Sequence, residues 1–292
     1  MSRLVFYTQV LEDGTIPGSA RCRAFQISER IDSLLNPPVE EVRHDDIVVM
    51  VKHIKYEVMG KSKNIYCDVV DNGGGSLLEE LKKYPEVKII TLTPYGCEHL
   101  KDMHNKCIWI PHHHCNFENR VRPDREVKTI GFQGSDECFP KKYWNKFCNK
   151  LKGQGFRIIK ATPEQTCQSR MKCADFIYDC DILVSFRLAA SYNRKPHYPQ
   201  KYPLQMKSPT KLNNAGSFKI PYVSYPEHCF VNNYTKKGSF LPCDLVGEMA
   251  SICLKLRDDK VLYKDISEKA YNDAKEYHID NVVKYYNRLK GE

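Results

Sequence analysis

The stretch KSPTKLNNAGSFKIPYVSYP, residues 207–226, combines the start of a helix with the apolar run of a buried strand. Ser208 and Thr210 are residue types that cap helix N-termini, and the proline between them suits a first helical turn. The sequence therefore predicts a helix over 208–218 followed by a strand over 220–226.

This predicted helix start has the chemistry of a diphosphate site. A helix N-terminus offers free amides and a partial positive charge, to which Lys207 and Lys211 add full charges. Asn213 and Asn214 follow on the first turns, where their amides can hydrogen-bond sugar hydroxyls. We therefore expect this segment to bind the phosphates and sugar of a nucleotide.

Short apolar runs alternate with amphipathic segments along the chain. The predicted strands are 3–10, 46–52, 63–71, 87–93, 107–111, 128–134, 156–161, 181–187 and 220–226, and the predicted helices are 21–35, 77–84, 95–104, 141–152, 163–178, 208–218, 244–257, 264–278 and 280–290. Near-continuous apolar strands separated by helices favour parallel sheets covered on both faces. The polar stretch 112–126 interrupts this rhythm, so we predict two α/β domains, 1–122 and 123–292.

Composition limits the class of protein. At 292 residues the chain is long for one core, and its net charge of +9 favours an anionic partner such as a nucleotide, a phosphorylated sugar, a nucleic acid or a membrane surface. No run of 18 apolar residues predicts a membrane span, and the N-terminus reaches acids too early for a signal peptide. The 13 cysteines are irregularly spaced without a CxxC pair, which predicts reduced thiols in a cytoplasmic protein.

Loops that follow strands are where α/β sheets bind ligands. In the segment 13–25, Gly18 and Ser19 free the backbone before a helix, and Arg21 and Arg23 add charge. We interpret this segment as a loop that approaches substrate or donor phosphate, with a plain glycine-rich turn as the alternative.

Two loops of the second predicted domain carry similar features. Gly134 and Ser135 follow a strand and offer backbone amides, while the two acids after them favour a sugar or nucleoside over a bare phosphate; a tight turn is the alternative. The stretch 187–211 begins with Arg187 and contains six cations, three tyrosines and no acid. Such a loop suits a phosphate-bearing ligand or a nucleic acid strand.

Several motifs occur in a characteristic order: PGSARCRAF (17–25), YCDVVDN (66–72), IPHHH (110–114), IGFQGS (130–135) and SPTKLNNAGSFKIPYVSYPE (208–227). In this order they resemble the GT-B glycosyltransferases, especially bacterial and phage members related to glycosyltransferase family 4. The closing EKAYNDAKEYHIDNVVKYYNRL (268–289) is similar to the C-terminal helices that cross back to the first domain in that family.

The resemblance implies two Rossmann-like domains facing across a cleft, with the acceptor on the first and a nucleotide-sugar on the second. It implies no metal and no cofactor besides the nucleotide-sugar co-substrate. Lys211 and Arg187 are then the candidates that neutralise the leaving diphosphate. Asn214 stands where the family usually has the glutamate that holds the ribose, and Lys219 stands where glycine is usual.

Asp13, Asp71, His112 and His113 follow strands of the first predicted domain. They are candidates for the general base that an inverting transferase needs. A turn is the alternative for Asp71. For the histidines the alternatives are a hinge, a contact with the donor, or a structural role. Neighbouring residues on an extended segment point alternately, so at most two of the histidines 112–114 could share a metal, and we predict no metal site.

The leading hypothesis is a glycosyltransferase that moves a sugar from a nucleotide-sugar to an acceptor hydroxyl. The acceptor is a glycan, a small molecule or a hydroxylated base in phage DNA, which would have to be flipped out of a duplex. The alternative is a non-catalytic nucleotide- or sugar-binding protein on the same scaffold. An NAD-dependent enzyme is disfavoured because no dinucleotide fingerprint follows a strand.

Overall fold

The structure is a computed structural model, and it describes residues 2–11, 14, 18–70, 76–101, 106–166, 169–188, 207–227, 229–231 and 238–291. Contacts between Cα atoms divide the chain into two units. The first unit holds the chain up to His113 and again from Ile279, and the second holds the part that begins at His114 together with Pro209–His278.

The first unit is built on a parallel sheet. Its described strands are β1 (Leu4–Thr8), β2 (Ser33–Leu35), β3 (Ile47–Val51), β4 (Asn64–Asp68), β5 (Lys88–Thr91) and β6 (Cys107–Trp109), in the order β2-β1-β3-β4-β5-β6. Every residue of β1 and β3 is buried, as expected for strands covered on both faces.

The segment after β1 is helical from Gly18 to Ser28 and is named α1 here. It consists of Gly18–Ala20, a π-helical stretch Arg21–Phe25 and Gln26–Ser28. The prediction of one helix over 21–35 is wrong at its end, because Leu34 and Leu35 lie in β2 and pair with Val5 and Phe6 of β1. Pairing with a buried strand outweighs the helical spacing of these two leucines.

The second unit is built on another parallel sheet. Its described strands are β7 (Thr129–Gln133), β8 (Arg157–Ala161), β9 (Ile182–Ser185), β10 (Tyr222–Ser224) and β11 (Leu241–Pro242), in the order β11-β10-β9-β7-β8. With the sheet of the first unit, it confirms the predicted α/β class with two parallel sheets.

Helices follow the strands in both units. In chain order after α1 they are α2 (Ser76–Leu81), α3 (Pro94–Leu100), α4 (Lys141–Leu151), α5 (Pro163–Thr166), α6 (Arg170–Tyr178), α7 (Thr210–Ser217), α8 (Val246–Asp258), α9 (Lys260–Ala274) and α10 (Ile279–Arg288). In α10, Ile279, Val282 and Tyr286 are buried, and the Tyr286 ring lies 5.5 Å from that of Phe6 in β1. The last helix therefore packs on the first sheet. Among the described residues, no helix has the length and apolarity needed to span a membrane.

Asp181, just before β9, fastens the polar segment at the start of the second unit. One carboxylate oxygen accepts from Arg122 Nε and Arg125 Nε, each at 2.8 Å, and the other accepts from the amides of Lys128 at 2.8 Å and Thr129 at 2.7 Å. Burial opposes its ionisation, but these donors outweigh burial and hold the pKa of Asp181 below its usual value. The carboxylate thus connects residues 122–129 to the start of β9.

Helix α7 ends in a Schellman motif with a lysine at the left-handed position. The Lys219 amide donates to Gly216 O at 2.8 Å, and the Ile220 amide donates to Ala215 O at 3.1 Å. Lys219 has φ of +64°, a conformation that favours glycine. This geometry gives a backbone reason why glycine suits the position.

We predict that Lys219→Gly stabilises the protein. Relief of the left-handed strain, about 1–2 kcal/mol, exceeds the extra entropy cost of glycine, about 0.5–1 kcal/mol. The expected gain in the free energy of unfolding is about 0.5–1 kcal/mol, measured by urea denaturation. Lys219→Ala is the control, because alanine keeps the strain and loses the ion pair with Glu268. An equal gain in both variants would show that the strain is absent.

Candidate functional site

The N-terminus of α7 lies where the sequence predicts it, with one correction. Helix α7 begins at Thr210, and its N-cap is Pro209, whose side chain makes no cap hydrogen bond. The prediction that Ser208 or Thr210 occupies the cap position is therefore wrong. Lys207 and Ser208 directly precede this cap in the chain.

Lys211 on the first turn of α7 has a buried ammonium group. Its Nζ has no hydrogen-bond partner of acceptable geometry among the described residues and lies 5.5 Å from the centre of the Phe132 ring. A Cβ added to Gly134 would lie 2.7 Å from this Nζ. Gly134 thus leaves room for the ammonium. Its backbone amide donates to Ala161 O at 3.0 Å and is therefore not free for a ligand.

Helix α7 is fixed in place by close packing on α9. A Cβ added to Gly216 would collide with the carbonyl oxygen of Ala270. Because glycine has no Cβ, the backbones of the two helices come close together. On the first turn of the same helix, Lys211 reaches Gly134, the residue after β7.

Cys138 interacts with both Lys211 and Arg187. Arg187 Nη2 donates to Cys138 Sγ at 3.0 Å, and Arg187 Nη1 donates to Glu227 Oε2 at 3.0 Å. The Ser135 hydroxyl lies 3.7 Å from the same sulfur. The other carboxylate oxygen of Glu227 is buried without a hydrogen-bond partner in the described parts of the chain. We refer to Lys211, Arg187, Cys138 and Glu227 as the cation cluster.

The charges of the cation cluster act on each other. Burial opposes ionisation of the Cys138 thiol, but the positive charges of Lys211 and Arg187 outweigh it and lower the pKa to about 7. Burial lowers the pKa of Lys211, and the neighbouring Cys138 partly restores it. A buried ammonium without a well-placed hydrogen-bond acceptor among the described residues suits an anionic ligand, which would accept its hydrogen bonds.

Asn213 and Asn214 are both buried on α7. The side-chain oxygen of Asn214 accepts a hydrogen bond from the Cys115 amide at 2.9 Å. It therefore holds the segment that begins the second unit, a task the sequence alone does not indicate.

Arg23 lies in the core of the first unit, although the sequence suggests a loop cation facing phosphate. Its side chain is fully buried; Nε donates to Asp68 Oδ2 at 2.7 Å, and Nη1 donates to Pro111 O at 2.6 Å. The guanidinium also lies 5.5 Å from the centre of the Tyr286 ring. Asp68 ends β4, so this ion pair joins α1 to the carboxyl edge of the first sheet.

The three histidines at 112–114 have different surroundings. His113 Nε2 donates to Cys22 O at 2.9 Å, which fastens α1. His112 is 8% exposed, and its Nδ1 has no partner among the residues that the structure describes. The His114 ring lies 5.4 Å from that of His278 within the second unit. No group of three metal-ligating side chains is found in the described ranges.

The remaining predicted residues are divided between described and undescribed parts of the chain. Gly18 begins α1, the Ser19 hydroxyl accepts from Lys52 Nζ at 3.2 Å, and Arg21 is half-buried. Asp13, Asp71 and most of the basic stretch 187–211 lie outside the described residues. Cys138 and Glu227 are members of the cation cluster that sequence reasoning missed.

No protein-family model matches the chain, and no curated protein matches it in sequence. Similar solved structures are the glycosyltransferase WaaG, involved in lipopolysaccharide biosynthesis (TM-score 0.61, 8% identity, 99% of this chain and 100% of that one), and a glycosyltransferase from Rickettsia africae (TM-score 0.59, 10% identity, 99% and 98%). The chain has the GT-B fold.

A longer protein of this fold is also similar to the chain. It is a point mutant of S. aureus TarM, solved in complex with fondaparinux, alpha-GlcNAc-glycerol and UDP (TM-score 0.57, 11% identity). The match covers 94% of this chain but only 59% of that one.

We predict that Asp68→Asn strongly destabilises the first unit. The substitution leaves the Arg23 guanidinium buried without its counter-ion, which costs about 3–5 kcal/mol. Urea denaturation measures the loss of free energy of unfolding. Glu79→Gln is the matched control, because it breaks an exposed ion pair of the same unit, that between Glu79 and Lys82, and exposed pairs contribute little to stability. Similar losses in the two variants would contradict the role of the buried pair.

We predict that the Cys138 thiol titrates with a midpoint near pH 7 and that Lys211→Met raises this midpoint, because the substitution removes a cation that favours the thiolate. Cβ chemical shifts of labelled cysteines report the titration. Cys253 is the internal control, since burial raises its pKa and it should stay protonated throughout. An unchanged Cys138 midpoint in the variant would place Lys211 away from the sulfur.

Proposed function

We propose that the protein is a glycosyltransferase that takes a sugar from a nucleotide-sugar and transfers it to an acceptor hydroxyl. The observation that carries the proposal is the buried ammonium of Lys211 on the first turn of α7, which has no hydrogen-bond partner of acceptable geometry among the described residues. It interacts with Cys138, to which Arg187 also donates. The GT-B fold supports it, as does UDP in the similar TarM structure. We infer UDP as the first nucleotide to test.

In the proposed reaction the glycosidic bond of the donor breaks and charge develops on the leaving diphosphate. Lys211 and Arg187 stabilise that charge, and because both side chains are held in place before the reaction, little reorganisation is needed. The backbone amides at the start of α7 add partial positive charge. These groups meet the charge without requiring a metal ion.

The cation cluster also sets its own charge balance before the donor binds. Glu227 offsets one of the two cations, and the Cys138 thiolate can offset the other. A diphosphate that enters competes with the thiolate for Lys211 and Arg187. We infer that Cys138 takes up a proton as the nucleotide binds, because loss of its cationic partners raises its pKa.

The candidates for the base that would activate the acceptor differ in their surroundings. Burial, with the nearby His113 and Arg23, lowers the pKa of His112 well below 6.5, so His112 is a weak base at neutral pH. His113 donates to a backbone carbonyl and serves structure. Asp13 and Asp71 remain the candidates for an inverting mechanism.

The second candidate function is a non-catalytic nucleotide- or sugar-binding protein. Asn214 favours it. In the resembling family a glutamate at this position holds the ribose, whereas here the side-chain oxygen of Asn214 accepts from the Cys115 amide. This candidate predicts nucleotide binding without release of the donor sugar.

The acceptor is a glycan, a small molecule or a hydroxylated base in DNA. The charge of +9 and the basic stretch 187–211 favour DNA, and affinity for DNA would then fall steeply with salt. Binding of a duplex measured at low and at physiological salt separates this acceptor from a neutral glycan.

We predict that Lys211→Met weakens UDP binding by about 10- to 150-fold, the loss of a charge-assisted hydrogen bond worth about 1.5–3 kcal/mol. Calorimetry with UDP, GDP, ADP, TDP and CMP measures the affinities. Lys219→Met is the matched control, because it removes a lysine at the other end of α7. Equal binding by wild type and Lys211→Met, or no binding of any nucleotide, would overturn the proposed donor site.

A further inference from the structure

A cavity opens in the second unit next to the end of β9. It is lined by α4, by residues that follow β9 and by the start of α8. Its volume is about 320 Å³, at the lower end of the range of about 300–1,000 Å³ for pockets that bind small ligands. No member of the cation cluster is among the described residues that line it, so the cavity is separate from the proposed donor site.

The walls of the cavity are apolar. The rings of Tyr143 and Phe186 lie with their centres 5.4 Å apart, and Leu188 and Val246 add aliphatic side chains. Leu245 also lines the cavity and is 69% exposed, so a bound hydrocarbon would shield it from water. Walls with so few hydrogen-bonding groups suit an apolar group of a ligand better than a sugar ring.

Lysines give one side of the cavity a positive charge. Lys146 and Lys150 line it, are exposed and stand one helical turn apart on α4, so their ammonium groups can reach the same anion. Neither forms an ion pair with the residues that the structure describes. Asp244 is the one acid in the described lining, so two ammonium groups face one carboxylate and the net charge is positive.

The start of α8 adds partial positive charge to the same cavity. Val246 and Gly247, the first two residues of this helix, line the cavity, and the side chain of the N-cap residue Leu245 makes no cap hydrogen bond. The amides of a first helical turn have no partner within the helix and lie at the positive end of its dipole. The helix start therefore reinforces the preference of the two lysines for an anion.

Gly247 leaves the cavity open. A Cβ added to this glycine would meet no atom within 4 Å, and its backbone is not in the left-handed conformation. Neither packing nor backbone geometry therefore requires glycine here, although glycine weakens a helix relative to alanine. A larger side chain at this position starts in open space, which provides a way to fill the cavity.

We propose that this cavity binds a single-chain amphiphilic anion, such as a medium-chain carboxylate. The hydrocarbon chain lies against Tyr143, Phe186 and Leu245, and the carboxylate lies beside Lys146 and Lys150. The small volume favours one short chain over a lipid with two long chains. This binding does not depend on the proposed transferase function.

The proposed ligand and a nucleotide occupy different sites of the same unit. Phe186 and Leu188 line the cavity, whereas Arg187 between them in the chain contacts Cys138 and Glu227. The two sites thus share a segment of backbone and no side chain, so both ligands can be bound together.

The test measures binding of sodium decanoate to the full chain by calorimetry, below the concentration at which decanoate forms micelles. We expect one decanoate to bind saturably. Butyrate should bind at least about tenfold more weakly, because each methylene removed from water contributes to binding. Decyltrimethylammonium, whose head group has the opposite charge, should bind at least about threefold more weakly, a modest factor because the lysines are exposed.

Variants locate the site. Gly247→Phe should weaken decanoate binding at least about tenfold, because its ring takes the place of the hydrocarbon chain, whereas the control Gly247→Ala should bind as wild type does. Replacing Lys146 and Lys150 together by glutamine should weaken it at least about threefold. The matched control replaces Lys260 and Lys264, two exposed lysines one turn apart on α9, and should bind as wild type does.

The outcomes separate this inference from the proposed function. Absence of saturable decanoate binding, or equal binding by wild type and Gly247→Phe, overturns the inference while UDP binding leaves the donor site standing. Decanoate binding without nucleotide binding leaves the cavity as a site and removes the transferase proposal. Loss of decanoate binding in Lys211→Met would place the ligand in the cation cluster, and binding to phosphatidylglycerol vesicles without binding of decanoate would indicate a membrane surface; either result contradicts the inference. Thermal unfolding checks that Gly247→Phe is folded, and the lysine variants test the site if it is not.

Discussion

The buried ion pair between Arg23 and Asp68 organises the first unit. Both side chains are fully buried, and the desolvation of two charges is offset only by their close geometry and further hydrogen bonds. The pair connects the helical segment after β1, the end of β4 and the carbonyl of Pro111.

The second unit uses charge in the opposite way. Lys211 and Arg187 are brought to one cysteine, and Glu227 offsets only part of their charge. The result is a site whose cations favour an anion, which is the requirement for a leaving diphosphate.

The sequence predicts the strand-helix rhythm and the position of Lys211 correctly, because apolar runs and helix-start residues act locally. It fails where a distant partner decides. The burial of Arg23 depends on Asp68, 45 residues later, and the strand at Leu34 and Leu35 depends on pairing with β1. Cys138 joins the cation cluster through Arg187, 49 residues away. No local sequence pattern reveals such a contact for a cysteine. The position of Cys138 in a glycine-containing loop after a strand is the one local signal of a ligand-binding place.

Donor turnover tests the central claim most directly. UDP release from UDP-sugars is measured by chromatography with and without neutral glycosides, for wild type and Lys211→Met. The account predicts UDP release that increases with a neutral acceptor, yields a glycosylated product and is strongly reduced in the variant. Tight UDP binding by the wild type without any release or product, across donors and acceptors, would contradict it and favour a binding protein on a transferase scaffold.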